Sequence, residues 1–296
     1  MALIADVLTS RPGLQRRLFF LAKRFVPGET IESAIAAVKK LNADRLTATL
    51  DFLGEDVLNE REAGQTTSTY LEMIDQINAA GVDSNVSVKL SAIGQAISED
   101  LAVANLTKIL DKARPTNMFV RLDMEGSGTV DSTYRICDQA RASYEHVGPV
   151  VQAYLKRASS DVARHVRDHV RVRLCKGAYK EPPHLALQSM PDIRRNYMDL
   201  ARSLLTQGTY PGIATHDDSL IDGVRSFVQA EKIGPERFEF QMLYGIRPEK
   251  QRAIVADGYR MRVYVPFGTH WAGYFYRRIA ERKENLFFVM RSLFSK

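Results

Sequence analysis

Two adjacent arginines near the carboxyl end of the chain are followed one helical turn later by a glutamate, in the segment RRIAE. On a helix, Arg277, Arg278 and Glu281 fall within an arc of about 100°, so the three charged side chains share one face. Paired guanidinium groups can bind a carboxylate while the glutamate fixes their orientation. An amphipathic helix with a solvated charged face has the same spacing, and helix geometry alone does not separate these interpretations.

A second set of charged residues alternates with apolar residues along short β-rich segments. Successive residues of a strand point to opposite faces, so the apolar set should pack against helices and the charged set should point into the interior. Charged groups in an interior are costly unless they are paired or meet a ligand. Five positive and three negative residues leave an excess of positive charge, which favours an anionic ligand. The set is Lys89, Arg121, Arg171, Arg173, Arg262, Asp51, Asp123 and Glu239.

The β-rich segments alternate with helical patterns at a spacing of roughly 30 residues, which is typical of βαβ units and a parallel sheet. The eight segments are 45–52, 85–91, 118–124, 149–155, 170–176, 212–216, 238–243 and 261–267. The helical patterns lie near 66–80, 98–113, 129–144, 159–169, 193–207, 218–232, 247–256 and 272–291. We therefore predict an α/β fold, a TIM-like (βα)8 barrel that forms one catalytic domain over residues 45–296. Residues 1–44 should form a helical segment before it.

The motifs and their order resemble those of proline dehydrogenases. SVKL, LDME, VQAYL, RLCKGAY, THD and YVPFG lie on successive predicted strands, and RRIAE lies on the final helix. The resemblance covers nearly the whole barrel. It indicates the short monofunctional bacterial form, which is similar to the proline dehydrogenase domain of bifunctional proline utilization enzymes. It also implies that the final helix carries Arg277 and Arg278 over the barrel mouth.

The resemblance implies FAD-dependent oxidation of L-proline to Δ1-pyrroline-5-carboxylate, the first step of proline catabolism. In this reaction a hydride passes from C5 of proline to N5 of the flavin. Asp123 and Arg173 match the catalytic positions of the family. The substrate-binding set implied is Lys89, Tyr264, Arg277, Arg278 and Glu281. The set implied for non-covalently bound FAD is Met124, Gln152, Arg173, Lys176, Gly177, Ala178, Thr215 and His216.

Composition limits the partners and the cellular setting. The net charge of +6 comes from scattered basic residues, so we expect no nucleic-acid partner. The two cysteines, Cys137 and Cys175, form no CxxC pair, which favours a reducing cytoplasm and disfavours a cysteine-rich metal site. No apolar run approaches the roughly 18 residues needed to cross a bilayer.

Any membrane contact should therefore be peripheral, and the basic stretch from Leu14 to Phe25 is the candidate for it. The resemblance implies a membrane quinone as the electron acceptor. It also implies a separate pyrroline-5-carboxylate dehydrogenase as the metabolic partner.

Three local patterns could be mistaken for other sites. The EGSG segment at 125–128 lacks the third glycine of a dinucleotide fingerprint, so we interpret it as a βα turn. His165 and His169 lack the glutamate of a zinc motif, and a surface helix is the simpler interpretation. The aspartates at 217–218 should cap the following helix rather than bind a metal, with His216 turned toward the cofactor. We expect no metal site.

Two other functions fit parts of the pattern. Lys89 and Lys176 stand late in predicted strands, where a class I aldolase would place a Schiff-base lysine. A non-catalytic regulator that senses flavin or a carboxylate would account for the basic charge. An aldolase would bind no flavin, and a regulator would show no turnover.

Overall fold

Eight parallel strands close into a barrel in the computed structural model, which describes residues 19–20, 22–54 and 57–281, with side chains as far as Tyr276. The strands are β1 (Thr47–Phe52), β2 (Ser84–Val88), β3 (Val120–Leu122), β4 (Val147–Gln152), β5 (Arg173–Cys175), β6 (Gly212–Ala214), β7 (Glu239–Leu243) and β8 (Met261–Phe267). Each strand pairs with the next in the sequence, and β1 pairs with β8 along its whole length. The predicted (βα)8 barrel is confirmed.

Helices follow the strands around the outside of the barrel. They are α1 (Ile31–Ala43), α2 (Glu60–Ala80), α3 (Glu99–Ala113), α4 (Val130–Arg141), α5 (Ala158–Arg167), α6 (Met190–Gln207), α7 (Asp218–Ala230), α8 (Pro248–Ala256) and α9 (Trp271–Glu281). Helix α2 begins six residues before the predicted position because the Asn59 side chain accepts a hydrogen bond from the Glu62 amide and caps the helix there. No helix of the described residues is long and apolar enough to cross a membrane.

The main core lies between the barrel and these helices, as the alternation along the strands predicts. Val86 and Val88 of β2 are fully buried in one apolar cluster that includes Tyr70 of α2. The residues that alternate with them, Ser87 and Lys89, make contacts inside the barrel instead. Alternation in the sequence therefore assigned these side chains to the correct faces.

A smaller core joins the residues before α1 to the start of α9. Phe25, Leu53, Trp271 and Phe275 are buried together in it. The indole nitrogen of Trp271 donates to Glu29 Oε1 at 3.1 Å, which ties the two segments further. Because Leu53 directly follows β1, this packing holds the start of α9 at the carboxyl end of the barrel.

Candidate active site

The residues predicted for the chemistry meet in the barrel interior, and two of them directly follow the carboxyl ends of their strands. Lys89 follows β2, Asp123 follows β3, Arg173 opens β5 and Tyr264 lies in β8. Parallel strands of a barrel bring their carboxyl ends to one rim, where enzymes of this fold carry their active sites. We call these four residues, together with Asp51 of β1, the mouth cluster.

Asp123 is the centre of the mouth cluster. Its Oδ1 accepts hydrogen bonds from Ser87 Oγ at 2.6 Å and from Arg173 Nη1 at 2.7 Å. Its Oδ2 accepts one from the Tyr264 hydroxyl at 2.7 Å. Burial opposes the ionisation of this carboxyl, but the charges of Arg173 and Lys89 and the bonds from Ser87 and Tyr264 hold its pKa below the ordinary value. Asp123 is therefore an ionised, fully bonded carboxylate.

Asp51 stands in the opposite situation. Its Oδ2 accepts from Lys89 Nζ at 2.7 Å, whereas its Oδ1 is buried and has no hydrogen-bond partner in the part of the chain that the structure describes. Burial raises the pKa of Asp51 to about 6 against the attraction of Lys89, and the charge of Asp123 raises it further. We counted Asp51 among the interior charges but predicted no role for it. The sequence signal that could have pointed to Asp51 was its position late in the first strand, on the face that points into the barrel.

Tyr264 lies close to both cations of the mouth cluster. Lys89 Nζ is 5.9 Å and the Arg173 guanidinium carbon 5.2 Å from the centre of its ring, and Lys89 Nζ also lies 3.3 Å from its hydroxyl. Burial and the negative charges of Asp123 and Asp51 raise the pKa of Tyr264 well above its ordinary value. Tyr264 therefore remains a neutral phenol that donates to Asp123.

The residues predicted for the cofactor lie at the ends of β3 to β6, beside the mouth cluster. Gln152 is buried and donates from Nε2 to the Glu125 carbonyl at 2.9 Å. The Thr215 hydroxyl accepts from the Asp217 amide at 3.2 Å. Met124 packs in a small apolar cluster next to them. The predicted cofactor residues thus adjoin the predicted substrate residues along the rim.

Lys176 supplies a cation at this part of the rim. Its Nζ lies 3.2 Å from Asp217 Oδ2, which also accepts from Arg194 Nε at 2.8 Å. Burial opposes the ionisation of Asp217, but the hydrogen bonds from Arg194, Ser219 and Lys176 hold its pKa well below the ordinary value. One carboxylate thus holds two cations that are still partly exposed, as binding an anionic group would require.

The backbone at Gly177 is suited to the close approach of a planar group. Gly177 has φ +110°, a left-handed conformation that favours glycine, and a Cβ there would overlap the Tyr154 ring. The Tyr154 hydroxyl beneath it is buried without a hydrogen-bond partner among the described residues, and Ala178 is exposed. The glycine thus makes room for the Tyr154 ring, and the fit to a flavin rests on the Lys176 cation and the buried Gln152 amide, which suit a ring edge that takes hydrogen bonds and becomes anionic on reduction.

His216 and the two aspartates after it hold the ends of β6 and β7 together. The Leu243 amide donates to His216 Nε2 at 2.9 Å, so the imidazole is directed at β7. Asp217 accepts from the Ser219 amide and caps α7, which confirms the predicted cap for this residue. Asp218 forms ion pairs with Arg247 and Lys250 instead. The predicted contact of His216 with a cofactor remains a prediction.

Two glutamates bind the rim loops to one another. Glu125 accepts from the amide and the hydroxyl of Ser91, and Glu181 accepts from the amide and the hydroxyl of Ser127. These bonds join the loops after β2, β3 and β5. The EGSG segment is a βα turn, as predicted, and its serine is one of the anchoring points.

His165 corrects one prediction. It is 1% exposed and stacks edge-on against Tyr134 at 4.7 Å between ring centres, rather than lying on a surface helix. Burial, with a smaller contribution from Arg164, lowers its pKa to about 4, so the ring is neutral. Among the described residues, no group of three or more His, Cys, Asp or Glu side chains is arranged to hold a metal ion.

A second layer of charged and polar residues lies deeper in the barrel, below the mouth cluster. We call Arg121, Glu239, Gln241 and Arg262 the floor cluster. Arg262 Nε donates to Glu239 Oε1 at 2.7 Å and Arg262 Nη1 to the Ala48 carbonyl at 2.6 Å. Arg121 Nη1 donates to the carbonyls of Pro149 at 2.8 Å and of Arg171 at 2.6 Å. The predicted charged interior therefore comprises two layers.

The three residues predicted on the final helix fall at the limit of the description. The backbone of α9 includes Arg277, Arg278 and Glu281, but their side chains lie outside the described residues. The start of α9 is held at the rim by Trp271 and Phe275. Substrate binding by this helix therefore remains a prediction.

Comparison with known sequences gives one consistent result. A family model described as proline dehydrogenase matches residues 34–291. Proline dehydrogenase 1 of Bacillus subtilis strain 168 is 43% identical over 276 residues, which cover 93% of this chain and 91% of that protein. Proline dehydrogenase of Deinococcus radiodurans is 41% identical over 284 residues, which cover 94% and 92% of the two chains.

A solved structure supports the fold. Proline utilization A from Bdellovibrio bacteriovorus, inactivated by N-propargylglycine, superposes with a TM-score of 0.84 at 26% identity. The match covers 91% of this chain and 33% of that protein, so the chain corresponds to about a third of the bifunctional enzyme's length. The barrel described above is thus similar in fold to one part of a larger protein.

Proposed function

This chain belongs to the proline dehydrogenase family, and we propose that it catalyses the FAD-dependent oxidation of L-proline to Δ1-pyrroline-5-carboxylate. One observation supports this reaction most directly. The mouth cluster joins Lys89, Asp123, Arg173 and Tyr264, predicted for substrate and catalysis, and it adjoins the predicted cofactor residues at the ends of β3 to β6.

In the proposed reaction, residues just after β2, in β8 and on α9 bind the amino acid. Lys89, Arg277 and Arg278 bind its carboxylate, with Glu281 orienting an arginine. The Tyr264 ring packs against the pyrrolidine ring, and the hydrogen bond from its hydroxyl to Asp123 together with the two nearby cations keeps it in place. These contacts set the distance between C5 and the hydride acceptor, which is the main catalytic task of the protein here.

Residues of β3 to β6 hold the cofactor without a covalent bond. A bound flavin supplies the hydride acceptor at N5. Met124, Gln152, Thr215, His216 and the 176–178 segment form its site, and Gly177 gives this segment the backbone conformation that fits against the Tyr154 ring. Arg173 and Lys176 place positive charge where negative charge develops on reduction, which stabilises the reduced state.

Asp123 connects the two halves of this site. Its Oδ1 holds Arg173 and its Oδ2 holds the Tyr264 hydroxyl, so one carboxylate orients a residue on the cofactor side and one on the substrate side. Tyr264 is unsuited to act as the base, because its pKa is raised and its proton is already donated to Asp123. Asp123 and Arg173 therefore act by position and charge.

The electrons would pass from the flavin to a membrane quinone, and a separate pyrroline-5-carboxylate dehydrogenase would consume the product. We propose that the protein acts in the cytoplasm and contacts the membrane peripherally through Leu14 to Phe25. Residues 14–18 and 21 of that stretch lie outside the described residues.

Anaerobic addition of L-proline to the purified protein tests the function. We expect a flavin absorption band that bleaches on addition and acid precipitation that releases the flavin into the supernatant. Tetrahydrofuran-2-carboxylate, which lacks the amine, should bind without bleaching. A protein without flavin that is trapped by borohydride on Lys89 or Lys176 would indicate the aldolase instead.

A further inference from the structure

The Arg173 guanidinium is held from two sides. Its Nη1 donates to Asp123 Oδ1 at 2.7 Å on the side of the mouth, and its Nε donates to Gln241 Oε1 at 2.6 Å on the side of the floor. Arg173 and Gln241 are both buried. Two short bonds to acceptors in different directions fix the plane of a guanidinium group, which a single ion pair does not do.

The orientation of the Gln241 amide follows from its surroundings. Its Nε2 donates to Glu239 Oε1 at 2.6 Å, and its Oε1 faces Arg173. The flipped amide would place its NH2 group against the Arg173 N–H and its oxygen against a carboxylate. Both of those contacts are repulsive, so Glu239 selects the orientation that accepts from Arg173.

Glu239 is itself fixed from below. Its Oε1 also accepts from Arg262 Nε at 2.7 Å, and Tyr210 donates to its Oε2 at 3.2 Å. Burial opposes the ionisation of Glu239, but the charge and hydrogen bond of Arg262 and the bond from Gln241 hold its pKa below the ordinary value. It is therefore a carboxylate that can accept from the amide.

A glycine on the intervening strand makes the contact possible. Arg173 opens β5 and Gln241 lies in β7, so β6 runs between them. Gly212 is the β6 residue at this level, and a Cβ there would overlap the Gln241 amide. The absence of a side chain at 212 lets the amide lie across β6 and reach Arg173.

We propose that Gln241 is a positioning residue for Arg173, oriented by Glu239 and Arg262, so that these three residues of the floor cluster set the angle at which Arg173 enters the mouth. Arg121 is not part of this chain of contacts. The proposal rests on the proposed function in one respect, since the catalytic importance of that angle assumes that Arg173 acts in proline oxidation. The contact itself can be tested without substrate or cofactor.

Two variants separate the parts of the proposal. Gln241→Met removes both hydrogen bonds at similar volume, and Gln241→Glu restores an acceptor for Arg173. Asn105→Leu is the matched control, because the Asn105 amide is also buried, accepts from Lys108 and donates to the Ile93 carbonyl, but lies on α3 outside the barrel interior.

The first measurement is the side-chain Nε–H resonance of Arg173 in the apoprotein, assigned with Arg173→Lys. In the parent and in Asn105→Leu we expect a slowly exchanging signal at the same shift. In Gln241→Met the signal should move and exchange with solvent much faster. An unchanged Arg173 signal in Gln241→Met would overturn the proposal.

The second measurement is flavin reduction by L-proline. Gln241→Met should lower kcat/KM by roughly tenfold to a hundredfold, mostly through kcat, because the carboxylate-binding residues are untouched. Gln241→Glu should recover part of this loss. The recovery should be larger at low pH, where one proton shared between the introduced carboxylate and Glu239 restores the hydrogen bond between these two side chains. If Gln241→Met does not fold, the proposal is tested with Gln241→Glu alone, through its Arg173 resonance and the pH dependence of its kcat/KM.

The outcomes distinguish the two hypotheses. A displaced Arg173 signal with kcat/KM close to that of Asn105→Leu would overturn the catalytic part of the proposal. A parent protein that binds flavin but is not reduced by proline would overturn the proposed function, and the resonance alone would then decide whether Gln241 positions Arg173.

Discussion

The mouth and floor clusters of the barrel interior both combine basic and acidic side chains, but these side chains are bonded differently. In the floor cluster, Arg121 and Arg262 donate largely to backbone carbonyls, which cannot move without the strands. In the mouth cluster, Lys89 and Arg173 bond mainly to side chains, and one Asp51 oxygen has no partner in the described part of the chain. Charge bonded to backbone serves the fold, whereas charge bonded to side chains can be rearranged by a ligand.

Glu239 of the floor cluster and Asp51 of the mouth cluster also differ in how fully they are bonded. Glu239 accepts from Arg262, Gln241 and Tyr210, so its bonding capacity is used by the protein. Asp51 shares Lys89 with Asp123, and its pKa is raised to about 6. A carboxylate with a perturbed pKa is more often found where a ligand charge is received than where every oxygen is bonded within the protein.

The strongest test of this comparison is Asp123→Asn in the mouth. It keeps the shape of the side chain but weakens the charge-assisted hydrogen bond from Arg173, worth about 1.5 to 3 kcal/mol, and removes the attraction of Lys89, whose Nζ lies 3.8 Å from Asp123 Oδ2. We expect kcat/KM for L-proline to fall on the order of a hundredfold or more, with the barrel still folded by circular dichroism. Flavin reduction near the parent rate would show that this carboxylate is not part of the catalytic site.

Arg277→Met and Arg278→Met test whether the final helix contributes to the substrate site at the mouth of the barrel. Each should lower kcat/KM for proline by roughly tenfold to a hundredfold and weaken inhibition by tetrahydrofuran-2-carboxylate, because a charge-assisted contact to the carboxylate is lost. FAD content should hardly change. Arg195→Met is the matched control, since Arg195 lies on α6 and pairs only with its helix neighbour Asp192 among the described residues. Near-normal values in both variants would favour a solvated helix face.

Arg121→Met tests whether this arginine of the floor cluster contributes to stability rather than to catalysis. It removes a buried donor and leaves the carbonyls of Pro149 and Arg171 without that hydrogen bond. The free energy of unfolding in urea should fall by about 2 kcal/mol, because relief of repulsion from Arg173 and Arg171 offsets part of the loss. Proline oxidation by the folded protein should stay within a few-fold of the parent. A large loss of kcat at unchanged stability would remove the distinction between the two clusters.

The smallest expected effect concerns pH and Asp51. Its raised pKa means that Asp51 is neutral below about pH 6 and ionised above it, where its charge competes with a ligand carboxylate for Lys89. Tetrahydrofuran-2-carboxylate should therefore bind roughly threefold to tenfold tighter at about pH 5 than at about pH 7. Asp51→Asn should make the affinity nearly independent of pH across this range. Equal slopes in parent and variant would assign the effect to another group.

The sequence by itself determined the architecture and most members of the mouth cluster. Alternation distinguishes Ser87 and Lys89 from Val86 and Val88 because a strand has a fixed period of two residues. Motif order identified Asp123, Arg173 and Tyr264, and the structure brings them together with Lys89. The assignment of side chains to the two faces succeeded because it depends on local geometry, whereas the roles of Asp123, Arg173 and Tyr264 in the reaction remain a proposal.

Only the tertiary structure decided which partners each charge has. Asp51 and Asp123 are the same residue type near the ends of two strands. Among the described residues, one Asp51 oxygen has no hydrogen-bond partner, whereas Asp123 accepts three hydrogen bonds. His165 lies on a helix that looked solvated, and packing against Tyr134 buries it. Ionisation depends on burial and on charges contributed by distant strands, as between Lys89 and Tyr264, which are 175 residues apart. Such distances close only when the barrel forms.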